Sequence, residues 1–235
     1  MKIDVKAGFT LAEVLITLGI IGVVAAITIP ALITKYNEIT TQTKLKKMFA
    51  TLLNAEKMAF AEYGEAPESW PTPDQPIAKE WFEKYYLPFL NQANIEHRSK
   101  TAKDSYTIYS LNGAVADTQP GGRMLTKFSD GSCMTHVVNN QYYFLVYDVN
   151  CSSPPNVLGK DVWDIAEFSW NQKLLENGWA NKHEILPKIS TYGYQPNRQK
   201  LLEDCKKDTH MGGQPNPCFL FFYLDGFKFS KDLHW

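Results

Sequence analysis

Hydrophobic and polar positions divide the chain into stretches of different character. Across residues 9–33 nearly every side chain is apolar or small, and Glu13 is the only ionisable one. A bilayer is crossed by about 20 such residues in a helix, so the run predicts a membrane span. It is too long for the core of a secretory signal, roughly 7–15 residues. Beyond Pro30 the pattern becomes amphipathic. Leu45, Met48, Phe49, Leu52, Leu53, Phe60 and Tyr63 recur at three- and four-residue spacing among Lys44, Lys46, Lys47 and Lys57. That periodicity predicts one helix over 9–63, its second half turning an apolar stripe toward a globular head. At helical rise it would measure about 80 Å. Gly64 supplies a stop, and Pro67, Pro71, Pro73 and Pro76 block continuation.

A second helix is predicted over 77–91, with Trp81, Phe82, Tyr85 and Leu90 on its apolar face and Pro88 kinking or ending it. Four strands follow, over 106–111, 124–128, 133–138 and 142–149, each rich in β-branched and aromatic residues. Asp130-Gly131 is a tight-turn signal and Asn139-Asn140 a second one. The expected fold class is therefore α+β, a long helix packed against an antiparallel β-sheet head.

Charge patterning orients the span. Lys2 and Lys6 precede it, which places the N-terminus in the cytoplasm and the remainder outside. All four cysteines, Cys133, Cys151, Cys205 and Cys218, lie beyond the span. An even number in an exported head suggests two disulfides. Four cysteines allow three pairings; Cys133–Cys151 and Cys205–Cys218 are favoured because each pair flanks a short excursion of the chain.

Glu13 is the anomaly of the span. A carboxylate there costs on the order of a few kcal/mol and calls for a partner. No basic side chain lies within the run. Cleavage between Gly8 and Phe9 would create a partner, the new α-amino group of Phe9, one helical turn from Glu13. A neighbouring chain's Glu13 is the alternative target for that amine.

The segment Lys6-Ala7-Gly8-Phe9-Thr10-Leu11-Ala12-Glu13-Val14-Leu15-Ile16 resembles the leader of type IV prepilins and type II secretion pseudopilins. The resemblance implies a pilin-like fold, with residues 1–8 as a leader peptide and 9–33 as the transmembrane and filament-core segment. Residues 34–63 would continue the helix and 64–235 form the head. It also implies cleavage after Gly8 by a prepilin peptidase, N-methylation of Phe9, and a docking role for Glu13. Pro30 matches a family proline that loosens the helix during assembly. Implied partners are that peptidase, other pilin or pseudopilin subunits, an inner-membrane assembly platform and membrane lipid. The chain would be a single-pass membrane protein with a periplasmic or extracellular head, joining a filament after assembly. A head of about 170 residues leans toward a minor subunit.

Further stretches extend the likeness. Asp148-Val149-Asn150, Pro155-Asn156, Gly159 and Asp161-Val162-Trp163 resemble a turn-rich segment of pseudopilin-like proteins, although Cys151 stands where glycine is expected. The tail Asp225-Gly226-Phe227-Lys228-Phe229 resembles a C-terminal hairpin of such proteins, which often carry a nearby cysteine pair.

Composition adds exclusions. With 44 % hydrophobic and 21 % charged residues the chain is an ordinary globular composition. Its formal net charge of -1, or -2 once Lys2, Asp4 and Lys6 are removed, gives no basis for nucleic-acid binding. Asp148, Asn150 and Asp161 are candidate calcium ligands, as some major pseudopilins bind that ion; their spacing is not an EF-hand and turn capping is the competing role. Otherwise no cofactor is expected. His97, His136, His183, His210 and His234 lack metal-ligand spacing and are expected on the surface or in loops. No nucleophile elbow, P-loop or dinucleotide fingerprint occurs, and Ser132 has no evident base, so an enzyme is not expected. Trp163, Trp170, Trp179 and Trp235 are expected in packing rather than on a ligand surface. The leading function is a structural filament subunit. A pilin-anchored binding or adhesion module, for sugar, DNA or protein, is the alternative.

Overall fold

Thr10 starts the first helix, α1, which runs Leu11–Tyr63 over 53 residues. The expected start at residue 9 moves inward because Thr10 is the capping residue and not a helical one. In the computed structural model, residues 8–66, 69–71, 77–90, 93–97, 107–118, 124–138, 142–151, 153–169, 198–207, 217–229 and 232–233 are described. Pro30 lies inside α1 without ending it. Gly64 closes the helix in the left-handed region, φ +67°, its N–H donating to Phe60 O at 2.9 Å.

The chain divides into two compact units, Met1–Thr40 and Thr41–His234. In the first, the described part is helix whose apolar side chains are exposed; Leu11, Ile21, Ile27 and Leu32 are 63–79 % accessible. Its most apolar window buries nothing within the protein, which suits a lipid or helix environment rather than a soluble core.

In the second unit α1 buries Thr41, Leu45, Met48, Phe49, Leu52, Ala55 and Ala59, a stripe at helical spacing. The expected single helix over 77–91 is instead α2 (Ala78–Tyr85) followed by a 3₁₀ turn (Leu87–Phe89). Pro88 cannot donate a backbone hydrogen bond, and Tyr86 leaves the helical region at φ -124°. The aromatic face is as expected: Trp81, Phe82, Tyr85, Tyr86 and Leu90 are buried, and Trp70 stacks on Tyr85 at 4.1 Å.

Among the described residues seven strands follow: β1 (Ala93–His97), β2 (Thr107–Tyr109), β3 (Val115–Thr118), β4 (Met124–Phe128), β5 (Cys133–Val138), β6 (Tyr142–Asp148) and β7 (Val162–Ser169). An antiparallel sheet has the order β1-β4-β5-β6-β7. The predicted meander is thus present as β4–β6 and is extended by β1 and β7. The predicted strand over 106–111 shortens to β2 and pairs with β3 in a separate two-stranded sheet. Gly131, φ +80°, makes the β4–β5 turn, where the Asp130 carboxylate accepts from Ser132 N–H at 3.1 Å and from its hydroxyl at 2.5 Å. Asn139-Asn140 lies outside the described residues. Lys44 Nζ on α1 donates to Val149 O at 2.7 Å and Asp130 O at 3.0 Å, fastening α1 to two sheet termini.

The C-terminal hairpin expected around 225–229 is replaced by helices α3 (Arg198–Lys207) and α4 (Pro217–Leu224) with a turn after the second. In α4 the run Cys218–Phe222 is wholly buried, so it needs no partner strand. Gly226 and Phe227 both adopt positive φ, and Phe227 N–H donates to Phe222 O at 2.8 Å, ending the helix. Phe227 and Phe229 then fold back onto Phe222, with ring centroids 5.7 and 4.8 Å away. Arg198 ties the two ends of this layer by a bidentate pair to Asp225 at 2.8 and 2.7 Å. The result is the α+β, pilin-like layout: a long N-terminal helix with an apolar first half, followed by antiparallel sheet.

Candidate processing and assembly site

Gly8 and Phe9 precede the first helical residue, and the Phe9 side chain is 89 % exposed. The peptide bond between them is therefore outside regular secondary structure. Immediately after it, Thr10 and Glu13 form a reciprocal capping box. Glu13 Oε2 accepts from Thr10 N–H at 2.8 Å and from Thr10 Oγ1 at 2.7 Å. Glu13 N–H donates back to Thr10 Oγ1 at 3.3 Å. The carboxylate in the apolar span thus has two donors before any cleavage. This partner, Thr10, is uncharged, unlike the amine expected from the sequence, and Thr10-Leu11-Ala12-Glu13 is itself the T-x-x-E pattern of such a box. Farther along, the hydroxyls of Thr17 and Thr28 donate to Glu13 O and Val24 O at 3.0 and 2.9 Å. The span's polar side chains are answered by their own helix, as a hydrocarbon environment requires.

The second cluster of sequence candidates gathers after β6. Asp148 Oδ1 accepts from the N–H groups of Asn150 at 3.0 Å and Cys151 at 2.8 Å, an Asx turn. Cys151 takes φ +51°, the conformation that the missing glycine was expected to supply. Its side chain bonds to Cys133 of β5, Cα–Cα 5.1 Å, so the turn is tied to the sheet. Asp161, fully buried, accepts from Val157 N–H at 2.7 Å, Asn156 N–H at 2.9 Å and Asn150 Nδ2 at 3.3 Å. Burial, aided by the Asp148 charge, pushes its carboxyl up to about 6 against the pull of those donors.

The three calcium candidates are therefore neighbours, joined by the bond from Asn150 Nδ2 to Asp161 and the bond from Asn150 N–H to Asp148. Both oxygens of Asp161 and one of Asp148 face N–H groups, which repel a cation. Asn150 Oδ1 is buried without a hydrogen-bond partner among the described residues. Among the described residues no group of three His, Cys, Asp or Glu side chains could hold a metal.

Both favoured cysteine pairs are bonded, Cys133–Cys151 and Cys205–Cys218. Gly159, φ +81°, packs against the second, and a Cβ there would stand 2.9 Å from Cys218 Sγ. His136 departs from expectation: it is buried, between Thr126 Oγ1 at 2.6 Å and Tyr143 OH at 2.5 Å, with Phe82 edge-on at 4.5 Å. Its place on β5, two residues from Met134 and on the same face, was the available signal. The side chain of His97 and all of His183, His210 and His234 lie outside the described residues. Ser132 is the turn serine expected. Trp163 is buried against Phe222 and Phe229, while Trp170, Trp179 and Trp235 fall outside the described residues.

No curated protein and no solved structure matches this chain. Two family profiles do. The prokaryotic N-terminal methylation motif, the type IV pilin and pseudopilin signal, matches residues 4–29, and so spans Gly8, Phe9, Thr10 and Glu13. Residues 31–234 match a family of unknown function, DUF6613. The chain belongs to that family, and by its N-terminal motif it is a type IV pilin-like protein.

Proposed function

We propose that this chain is a pseudopilin or minor pilin, a structural subunit of a type II secretion or type IV pilus filament. The observation that carries the reading is the exposed Gly8–Phe9 bond set before an apolar stretch, residues 9–33, whose only ionisable side chain is Glu13. A prepilin peptidase cuts that bond and Phe9 is methylated. The span through about residue 33 then holds the mature chain in the membrane, N-terminus at the cytoplasmic side and head outside.

Glu13 Oε2 is committed to Thr10, whereas Oε1 accepts no hydrogen bond among the described residues. A carboxylate has about four acceptor positions, so a neighbour's Phe9 amine docks on Glu13 without dismantling the cap. Work on the partner machinery is supplied elsewhere; this chain contributes shape and contacts. Pro30, unable to donate to the turn before it, is the place where α1 yields when subunits pack.

The test is the mature N-terminus, read by intact mass and terminal-peptide mass spectrometry of membranes with and without the peptidase. A chain beginning at N-methylated Phe9, seen only with the peptidase, is the expected result. An intact Met1 or a cut elsewhere makes it an ordinary anchored protein and removes the assembly role of Glu13.

A further inference from the structure

A cavity of about 280 Å³ opens in the head between α1 and the β4–β5 turn. Met48, Leu90, Phe128 and Tyr147 give it an apolar floor, and Lys47 and Thr51 stand at its more accessible edge. Next to it on α1, Lys46, Lys47, Ala50, Asn54, Lys57 and Met58 are exposed at spacings that place them on one continuous face. The face is basic by sequence as well: no acidic residue occurs between Glu38 and Glu56.

These lysines differ from others in the head. Lys79, Lys84 and Lys200 each have a carboxylate within ion-pair distance. Lys46, Lys47 and Lys57 have none among the described residues. Asp130 also lines the cavity, but its carboxylate is engaged by Ser132. Against the upward push of burial, those Ser132 bonds, helped by the Lys44 and Lys47 charges, hold it below the usual carboxylate range. Asp130 is thus ionised and offsets part of the charge of Lys44 and Lys47, while Lys46 and Lys57 lie along the helix from it.

We propose that this cavity and the adjoining lysine face form a docking site for an acidic segment of a neighbouring pilin-class subunit, one apolar side chain entering the cavity. The inference rests on the assembly role proposed above. An apolar socket with charges at its edge is the arrangement in which a few buried contacts give affinity and peripheral charges select the partner. Ala50 and Asn54 keep the face low, so a partner backbone approaches α1 closely.

The experiment places a photo-crosslinking amino acid at Asn54 of the full-length chain, expressed together with its assembly machinery. The expected adduct is a chain carrying an N-terminal methylation motif, joined through a segment containing Asp or Glu. Reversing Lys46→Glu, Lys47→Glu and Lys57→Glu together lowers the yield about tenfold. Thr51→Trp, which fills the mouth of the cavity, lowers it comparably, and Lys206→Glu leaves it unchanged. The Phe9 terminus is measured in every sample. If even the unsubstituted chain is not cut at Phe9, the assembly reading fails. If processing is normal but the adduct is lipid, or its yield ignores the charge reversals, the docking site alone is wrong.

Discussion

Asp161 carries a signed prediction for acid stability. Its carboxyl is ordinarily near 3.8 and in the folded head is pushed up to about 6, chiefly by burial. A group whose folded value is raised binds a proton in the folded state before the unfolded chain does. Its contribution to stability therefore grows as pH falls through 6 and levels off below the unfolded value. Linkage gives about 1.4 kcal/mol of added stability near pH 5 and about 2.4 kcal/mol near pH 4, relative to neutral solution. Asp130 acts in the opposite sense: its folded value is lowered, so what it contributes is lost on acidification. The raw pH curve mixes the two.

Asp161→Asn separates them. The amide keeps one acceptor for the Val157 or Asn156 N–H and turns its NH₂ toward the other. That mismatch costs about 1–3 kcal/mol, but the variant no longer buries a charge, so at neutral pH the two effects oppose each other. The measurement is urea unfolding of the mature chain in non-ionic detergent, followed by tryptophan fluorescence, which Trp163 two residues away makes sensitive to this loop. The difference between parent and variant is expected to widen in the parent's favour by about 2 kcal/mol between about pH 7 and about pH 4. A flat difference, or one that narrows on acidification, would mean that the N–H donors outweigh burial and that Asp161 ionises like an ordinary carboxyl.

Three further perturbations test other parts. Replacing Cys133 and Cys151 together by serine releases a loop of 18 residues and should cost about 3 kcal/mol in the same unfolding assay; a loss under about 1 kcal/mol would argue that the Asp148 turn holds without the bond. Gly159→Ala puts a methyl 2.9 Å from Cys218 Sγ at a positive-φ position and should lose about 1–3 kcal/mol; a neutral result would refute the close packing of that loop on the Cys205–Cys218 bond. Thr10→Ala removes both the cap and a donor to Glu13, worth about 0.5–2 kcal/mol locally. Amide exchange at Leu11 to Glu13 in detergent should quicken, while exchange in the second half of α1 stays as it was; unchanged exchange at the N-terminal turn would sink the capping box.

The parts legible in the sequence are those written in one dominant pattern. An apolar run with a single carboxylate after Gly8-Phe9 permits few structures, and the segments at 124–128 and 133–138, bounding the Asp130-Gly131 turn signal, become β4 and β5 with their limits intact. The parts missed lack such a pattern. Pro217–Leu224 is apolar on every side, so neither a helical nor a strand period stands out, and it is a helix whose Cys218–Phe222 run the head buries on all sides. β7 was hidden behind a turn motif: Asp161-Val162-Trp163 reads as loop, yet Val162 already pairs with Asp148 of β6.

The same competition decides the site. Asp148, Asn150 and Asp161 have the residue types of a cation site, and sequence proximity cannot say which groups their oxygens meet. The fold brings Val157 and Asn156 N–H groups onto Asp161, and once two backbone donors are buried there, satisfying them outweighs leaving the oxygens open. Glu13 gives the converse case. Its partner, Thr10, is local and fixed by helix geometry alone, so the capping box could be read from the chain by anyone asking how the first turn's N–H groups are satisfied before asking which charge neutralises the carboxylate. Local hydrogen bonding such as that of Thr10 with Glu13 thus follows from sequence, whereas the N–H groups that meet Asp161 depend on how the chain around it folds.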